Sequence, residues 1–335
     1  MPKISVLTAT YNRADVLARA MESVQTQEFE DYEHLVVDDG STDETAAVVA
    51  DHADSRTRYL ELDRNRGVAA AWNRGIEAAR GEYLSFLDSD DEYLPGRLAR
   101  TNAVLDDQPD TVAGVAHSYE RVTDDGVAVN RVPDGEFTRR DLAADNFVCG
   151  STNTIYRASA VDKVGGFTEE FPAEVDYDFQ MRILGEFDMV GVAEPLSRKH
   201  DRPDSIQNDP TKKRRGVKRF LAEHGDVLSD GRVAEKHRTL ARTYLETGDG
   251  ESATRYVEKS LAVCPDRLRA DLHYAVGCDY LEAGNKRAGR RHLRRSVRSE
   301  PLRYRPYALL ALSFVPGHIE RPAERARAVR DALGG

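Results

Sequence analysis

Cysteine is rare in this 335-residue sequence. Cys149, Cys264 and Cys278 have no metal-ligand spacing and are too few for a disulfide framework, which points to a reducing compartment. No apolar run approaches the ~20 residues that span a bilayer. The longest candidate, Tyr307 to Val315, is far shorter. Met1-Pro2-Lys3 leads straight into a strand-like segment, so no signal peptide is expected and the expected location is cytoplasmic. Lysine is also scarce: 39 of the 48 basic residues are arginine. An acidic, lysine-poor surface suits a high-salt cytoplasm, and a GC-rich genome gives the same arginine bias.

What is present is enough for folded domains. Hydrophobic residues make up 40% and charged residues 32%, which excludes a disordered chain. At roughly 100–200 residues per domain, two domains are expected. The charge divides in the same way. Residues 1–210 hold 42 acidic and 21 basic residues, a balance of −21, whereas residues 211–335 hold 16 and 27, a balance of +11. Halves so unlike in charge are expected to face different partners.

In the first half, short apolar runs alternate with helical patterns. Residues 3–8, His34 to Val37, Tyr59 to Leu62 and Tyr83 to Leu87 read as buried strands. Residues 15–26 read as a helix with Leu17, Ala20, Met21 and Val24 on one face. Ser41-x-x-Glu44 reads as a capping box, residues 68–79 as a helix closed by Gly81, and Pro95 as a first-turn proline. This βαβαβαβ order calls for a parallel sheet covered by helices. Ligands of such sheets bind beyond the carboxyl ends of the strands. Tyr11-Asn12, Asp38-Asp39 and Asp88-Ser89-Asp90 all follow strand ends, so they are expected to converge on one edge.

Seven segments in order carry a resemblance. They are Ser5-Val-Leu-Thr-Ala-Thr-Tyr-Asn12, Val37-Asp-Asp-Gly-Ser-Thr-Asp43, Asn65-Arg-Gly67 with Asn73-Arg-Gly75, Phe86-Leu-Asp-Ser-Asp-Asp91, Gly165-Gly-Phe167, Asp176-Tyr-Asp178 and Arg198-Lys-His200. Over roughly residues 1–205 the chain resembles a family 2 glycosyltransferase. The resemblance implies an α/β GT-A fold, Rossmann-like with a mostly parallel central sheet, and inverting transfer of a sugar from a nucleotide diphosphate sugar, with UDP favoured. It places Thr8, Ala9, Thr10, Tyr11, Arg13, Asp39, Asn65, Asn73, Asp88 and Ser89 at the nucleotide sugar. Chemically, Tyr11 offers an aromatic face to a base and Asp39 an acceptor for a uracil N–H. Trp72 stands where related sequences often carry arginine, leaving Arg74 or Arg66 as substitutes.

The diphosphate gains negative charge as its glycosidic bond breaks, and a divalent cation stabilises it. Hard cations take carboxylate oxygens, and Mg²⁺ needs only one or two from protein. Asp88-x-Asp90 resembles the family's DXD motif, so Asp90 and Asp88 are the expected ligands of Mg²⁺ or Mn²⁺. His200, in a loop resembling one that closes over the diphosphate, is a third candidate for the metal or a phosphate oxygen. The acceptor hydroxyl must lose a proton, which a carboxylate in reach can accept. Asp176 aligns with the aspartate of the family's Glu-Asp motif. Val175 occupies the glutamate position, which keeps Glu174 and Asp178 as alternatives.

From 211 to 335 helical periodicity takes over. Tyr244-Leu-Glu-Thr-Gly-Asp249 echoes Tyr280-Leu-Glu-Ala-Gly-Asn285, and Pro265 echoes Pro301 at the same 36-residue offset. A helical-hairpin repeat of about 34 residues resembles the tetratricopeptide family. Leu240, Tyr244, Ala275 and Tyr280 are its expected packing positions, and a protein partner of the repeats is a further expectation. Lys212 to Arg219 and Lys286 to Arg298 are basic runs, the second with seven basic residues and no acid. They read as solvated helix faces or as contacts to an anionic membrane surface. No nucleic-acid fold signature accompanies them, so no nucleic-acid partner is expected. The acceptor implied by resemblance is a glycan or lipid-linked molecule in cell-surface polysaccharide or glycoprotein glycan synthesis. A non-catalytic module that recruits a partner through its helices is the competing reading. A pyrophosphorylase or dinucleotide enzyme has neither a G-x-G-x-x-G nor a P-loop to support it.

Overall fold

Ile4–Thr10 and Tyr32–Asp38 are buried along their whole length, as strands must be when helices cover both faces of a sheet. They form β1 and β2 of a computed structural model that describes residues 1–123, 126–202, 209–300 and 304–313. Pro301, Val315 and the Pro203–Ser205 end of the loop after His200 lie outside the described residues. The chain divides into two compact units, Met1–Ser205 and Ile206–Gly335.

The first unit is built on one sheet. Its further strands are β3 (Thr57–Glu61), β4 (Tyr83–Asp88), β5 (Glu92–Tyr93), β6 (Val112–Thr123), β7 (Gly126–Asn130), β8 (Gly135–Phe137), β9 (Thr154–Arg157) and β10 (Asp188–His200). The main path runs β3-β2-β1-β4-β9-β6-β10-β5, with β7 on β6 and β8 on β10. β3, β2, β1 and β4 are parallel, β9 is antiparallel to both its neighbours, and β6 is parallel to β10. Six of the eight strands on the path therefore point the same way. Helices α1 (Leu17–Gln25), α2 (Thr45–His52), α3 (Val68–Ala78), α4 (Arg97–Asp106), α5 (Arg139–Ala144), α6 (Ala158–Val164) and α7 (Val175–Glu186) complete the unit.

Aromatic packing fixes the middle of this unit. Trp72 of α3 meets Phe86 of β4 edge-on at 5.0 Å, and Phe167 stacks on Phe179 of α7 at 4.2 Å. Trp72 is thus a core residue. Two local expectations turn out differently. Ser41 does not cap α2: its hydroxyl accepts the Asn12 N–H at 2.8 Å, and Asp43 takes the Thr45 N–H instead. Gly81 does not close α3, which ends in extended Ala79, because Gly81 donates its N–H to Ser5 Oγ on β1.

The second unit is helical: α8 (Pro210–His224), α9 (Asp230–Glu246), α10 (Gly250–Val263), α11 (Asp266–Glu282), α12 (Lys286–Ser299) and α13 (Tyr304–Leu312). The sequence echo falls on two matching turns. Gly248 and Gly284 adopt φ of 79° and 77°, and the next residues, Asp249 and Asn285, cap α10 and α12 through Ser252 N and Ala288 N. No described helix is long and apolar enough to cross a membrane.

Candidate active site

Register brings the predicted clusters together. Thr10 pairs with Asp38 across β1 and β2, and Ala9 with Asp88 across β1 and β4. Neighbouring strands lie ~4.8 Å apart, so the chain segments after β1, β2 and β4 leave the sheet side by side on one edge. The Asp39 N–H donates to Thr10 O at 2.9 Å, which locks two of these ends together.

Asp39 is a built acceptor. Its two oxygens take the main-chain N–H groups of Arg66 and Gly67, each at 2.7 Å. Burial nevertheless raises its pKa above an ordinary aspartate, these two bonds opposing the rise. Asp38 accepts the Tyr59 hydroxyl at 2.6 Å and the Ser41 N–H at 2.8 Å, which shapes the turn. Beside it, Tyr11 is 41% exposed, and Asn12 is held at φ 50° by Ser41 and Thr42. A cleft lined by Gly40, Ser41, Thr42, Glu61, Leu62 and Asp63 opens next to this turn. Asn65 is exposed, and Arg13 sits against α2 through its N–H to Thr45 Oγ1.

The acidic segment after β4 is more tightly organised. Thr152 Oγ1 lies 2.7 Å from Asp91 Oδ2 and 3.1 Å from Asp88 Oδ2, and it accepts the Asp88 N–H. Both carboxyls are pushed up in pKa, by burial first; Asp90 adds to both and Lys199 opposes both. Ser89 is buried between them in sequence. The half-buried Asp90 carboxylate makes no hydrogen bond or ion pair among the described residues. A free carboxylate beside a second acid is a donor set that fits a hard divalent cation.

Asp176 lies in the first turn of α7, entered through Glu174 at φ 65°. Burial and then Glu174 raise its pKa, and Lys199 opposes them. Asp178 is spent elsewhere: it is fully buried and accepts from Thr168 Oγ1 at 2.8 Å and Arg182 Nε at 3.0 Å. Lys199 donates to Cys149 O at 2.8 Å, its ammonium 4.8 Å from the Tyr119 ring centre.

Tyr11, Asp39, Asp88, Ser89 and Asp90 thus line the strand ends, and the charge of Asp176 reaches Asp88. Several other expected residues are differently placed. Thr8 is fully buried with its hydroxyl 2.9 Å from His34, and Ala9 and Thr10 are buried beside it. Asn73 spends its amide on Phe167, donating to its carbonyl at 2.9 Å and accepting its N–H at 2.8 Å. The His200 ring lies 2.8 Å from Glu92, while the main-chain N–H of His200 donates to Asp91. Arg66 pairs with Glu169 and Arg74 with Glu77. Asp91, Thr152 and Lys199 were not singled out from sequence. Asp91 and Lys199 stand inside quoted motifs, but Thr152 carries no sequence signal.

Residues 5–165 match the model of the family described as Glycosyl transferase family 2. The Succinoglycan biosynthesis protein ExoO of Rhizobium meliloti is 49% identical over 100 residues, 30% of this chain and 29% of that protein. The GalNAc(5)-diNAcBac-PP-undecaprenol beta-1,3-glucosyltransferase of Campylobacter jejuni is 42% identical over 102 residues, 30% of this chain and 33% of that protein. The chain therefore spans about a third of these two relatives. Among solved structures, S. aureus TarS 1–349 in complex with UDP-GlcNAc superposes with a TM-score of 0.59 at 21% identity, covering 85% of this chain and 90% of that one. Mannosyltransferase PcManGT from Pyrobaculum calidifontis, with GDP-Man and Mn²⁺, gives 0.54 at 16% identity, covering 100% and 88%. At these identities the two structures speak for the fold alone.

Proposed function

We propose, because residues 5–165 match the model described as Glycosyl transferase family 2, that the chain is an inverting, metal-dependent glycosyltransferase. It would move a sugar from a nucleotide diphosphate sugar, UDP-linked by preference, to a glycan or lipid-linked acceptor of cell-surface polysaccharide or glycoprotein glycan synthesis. The observation that carries this reading is the gathering of Asp39, Asp88 and Asp90 at adjoining strand ends, with Asp176 in electrostatic reach of Asp88.

Each residue has a role in this reading. Tyr11 stacks on the base, and Asp39, fixed by the Arg66 and Gly67 amides, accepts from it. Asn65 and Arg13 border the nucleotide, and Thr8, Ala9 and Thr10, buried in β1, support it from behind. Asn73 acts indirectly, by fixing Phe167. Asp90 with Asp88 would hold Mg²⁺ or Mn²⁺, which when bound neutralises charge on the diphosphate. His200 is already engaged with Glu92 and is left out of that ligand set. Asp176 takes the acceptor hydroxyl proton while that oxygen bonds to the anomeric carbon. The bond from that carbon to the diphosphate breaks, and its electron pair leaves with the diphosphate. Attack from the face opposite the leaving group inverts the anomeric centre.

Residues 1–210 are assigned as the transferase domain and 211–335 as a tetratricopeptide-like domain for a protein partner. Lys286, Arg287, Arg291, Arg294, Arg295 and Arg298 are exposed on α12. Such a face suits peripheral contact with an anionic, lipid-acceptor-bearing membrane. A panel of nucleotide sugars with Mg²⁺ or Mn²⁺, scored for thermal stabilisation and donor hydrolysis, tests the reading. Stabilisation and hydrolysis by one donor, both lost in chelator, are expected. A panel without any response overturns it.

A further inference from the structure

Lys199 stands at the end of β10 with an environment built around its ammonium. Cys149 O accepts from it at 2.8 Å, and the Tyr119 ring lies beneath it at 4.8 Å. Residue 150 is a glycine at φ +126°, and a Cβ there would lie 2.1 Å from Lys199 Nζ and 3.7 Å from Asp176 Oδ2. Two atoms so close to one point are less than about 6 Å apart (2.1 plus 3.7). Among the described residues, no carboxylate oxygen comes within 4.0 Å of Nζ. The ammonium has spent one of its three N–H donors and faces the Asp176 carboxylate across the space that Gly150 leaves. Backbone strain gathers around it. Among the described residues, Cys149 (φ 50°) and Glu174 (φ 65°) are two of the three non-glycine residues with positive φ; the first precedes Gly150 and the second stands two positions before Asp176.

The other titratable groups around Asp176 are acids or neutral hydroxyls. Glu174 on its own segment and Asp88 at the end of β4 carry negative charge, and Tyr119 of β6 and Tyr156 of β9 bring neutral hydroxyls. Lys199 is the cation that acts on it.

We propose that Lys199 is the positioning residue of the base: held by the Cys149 carbonyl and the Tyr119 ring, it keeps the Asp176 carboxylate in its proton-accepting form. This rests on Asp176 being the base, and it deepens that assignment by naming what keeps a crowded, half-buried acid ready at neutral pH. Cys149 and Gly150 then serve to hold the ammonium in place, Cys149 through its carbonyl and Gly150 by having no side chain.

The test is a carboxyl NMR titration of the full chain labelled with ¹³C-aspartate, in chelator. The Asp176 signal is identified by its loss in Asp176→Asn. In Lys199→Met and Lys199→Gln the midpoint of that signal is expected to move to higher pH, and in Lys199→Arg to return towards wild type. Gln keeps a donor for the Cys149 carbonyl, so it separates loss of charge from loss of the loop contact. An unmoved midpoint in both neutral variants overturns the proposal. Full donor turnover by Asp176→Asn overturns the base assignment instead, so the two failures are told apart.

Discussion

Asp176 is pressed towards its protonated form by burial and by Glu174, so it titrates above the ordinary value of 3.8. A base with a raised pKa is a stronger proton acceptor, but it is lost as pH falls through that pKa. Turnover is therefore expected to decline on the acid side at a pH above that of an ordinary aspartate, with a pH–rate profile as the measurement. Asp176→Asn should lower kcat by ~10²–10⁴-fold and leave nucleotide affinity, read by calorimetry, little changed. Asp90 makes the complementary case. Its carboxylate makes no hydrogen bond or ion pair among the described residues, so Asp90→Ala should melt like wild type in chelator. It should lose the added stability that UDP with Mn²⁺ gives the wild type. An Asp90→Ala protein that keeps this ion-dependent shift would remove the residue from the cation site.

At the scale of elements, the site depends on a cation that never reaches it. Arg97 at the start of α4 is fully buried and lies 3.7 Å from the Tyr93 ring centre. It donates to Ser85 Oγ, to the carbonyls of Thr152 and Thr154, and to His117 Nε2. Burial lowers its pKa, and burial likewise holds His117 well below its usual value, so His117 is neutral and can accept. Through Thr152 the guanidinium fixes the hydroxyl shared by Asp88 and Asp91. Arg97→Met leaves several buried acceptors unpaired, and a loss of about 3–5 kcal/mol in chemical denaturation is expected. None of this network was legible beforehand, since an arginine two residues after a proline reads as helix surface. The strands were legible, because an apolar, β-branched run bounded by turn residues has few other uses. β9 was not, because Thr154–Arg157 is four residues long and is made a strand by β4 and β6 on its two sides.

Across the whole molecule, buried histidines are expected to set the acid limit. His34 is fully buried with its pKa lowered to about 4, and His273 and His292 of the second unit lie at about 4 and about 3, all through burial. An unfolded chain takes up these protons near pH 6.5 and the folded chain does not, so stability falls as pH drops from about 6.5 towards 4. His34 alone contributes on the order of 3 kcal/mol to that loss. Asp88, Asp91 and Asp176 have the opposite sign: their raised values cost stability as pH rises above the unfolded carboxylate range. Melting temperatures measured from pH 7 to 4.5 should fall, and His34→Gln should flatten part of that slope. A slope unchanged by the substitution would assign the acid limit to other groups.

The sequence alone determined the alternation of strands and helices, the change to helices after residue 210, and the strand-end positions of Asp39, Asp88 and Asp90. Those follow from local patterns: burial on both faces of a strand, helical periodicity, and polar residues where a parallel sheet ends. Only the tertiary structure decided which acids are free and which are spent. Among the described residues the Asp90 carboxylate has no partner, Asp178 is tied to Thr168 and Asn73 to Phe167. It alone brought Thr152 and Lys199 to the acids. Thr152 and Asp91 are 61 positions apart and Lys199 and Asp88 are 111 apart, and no local pattern records which side chains a folded sheet will bring within hydrogen-bond or Coulomb range.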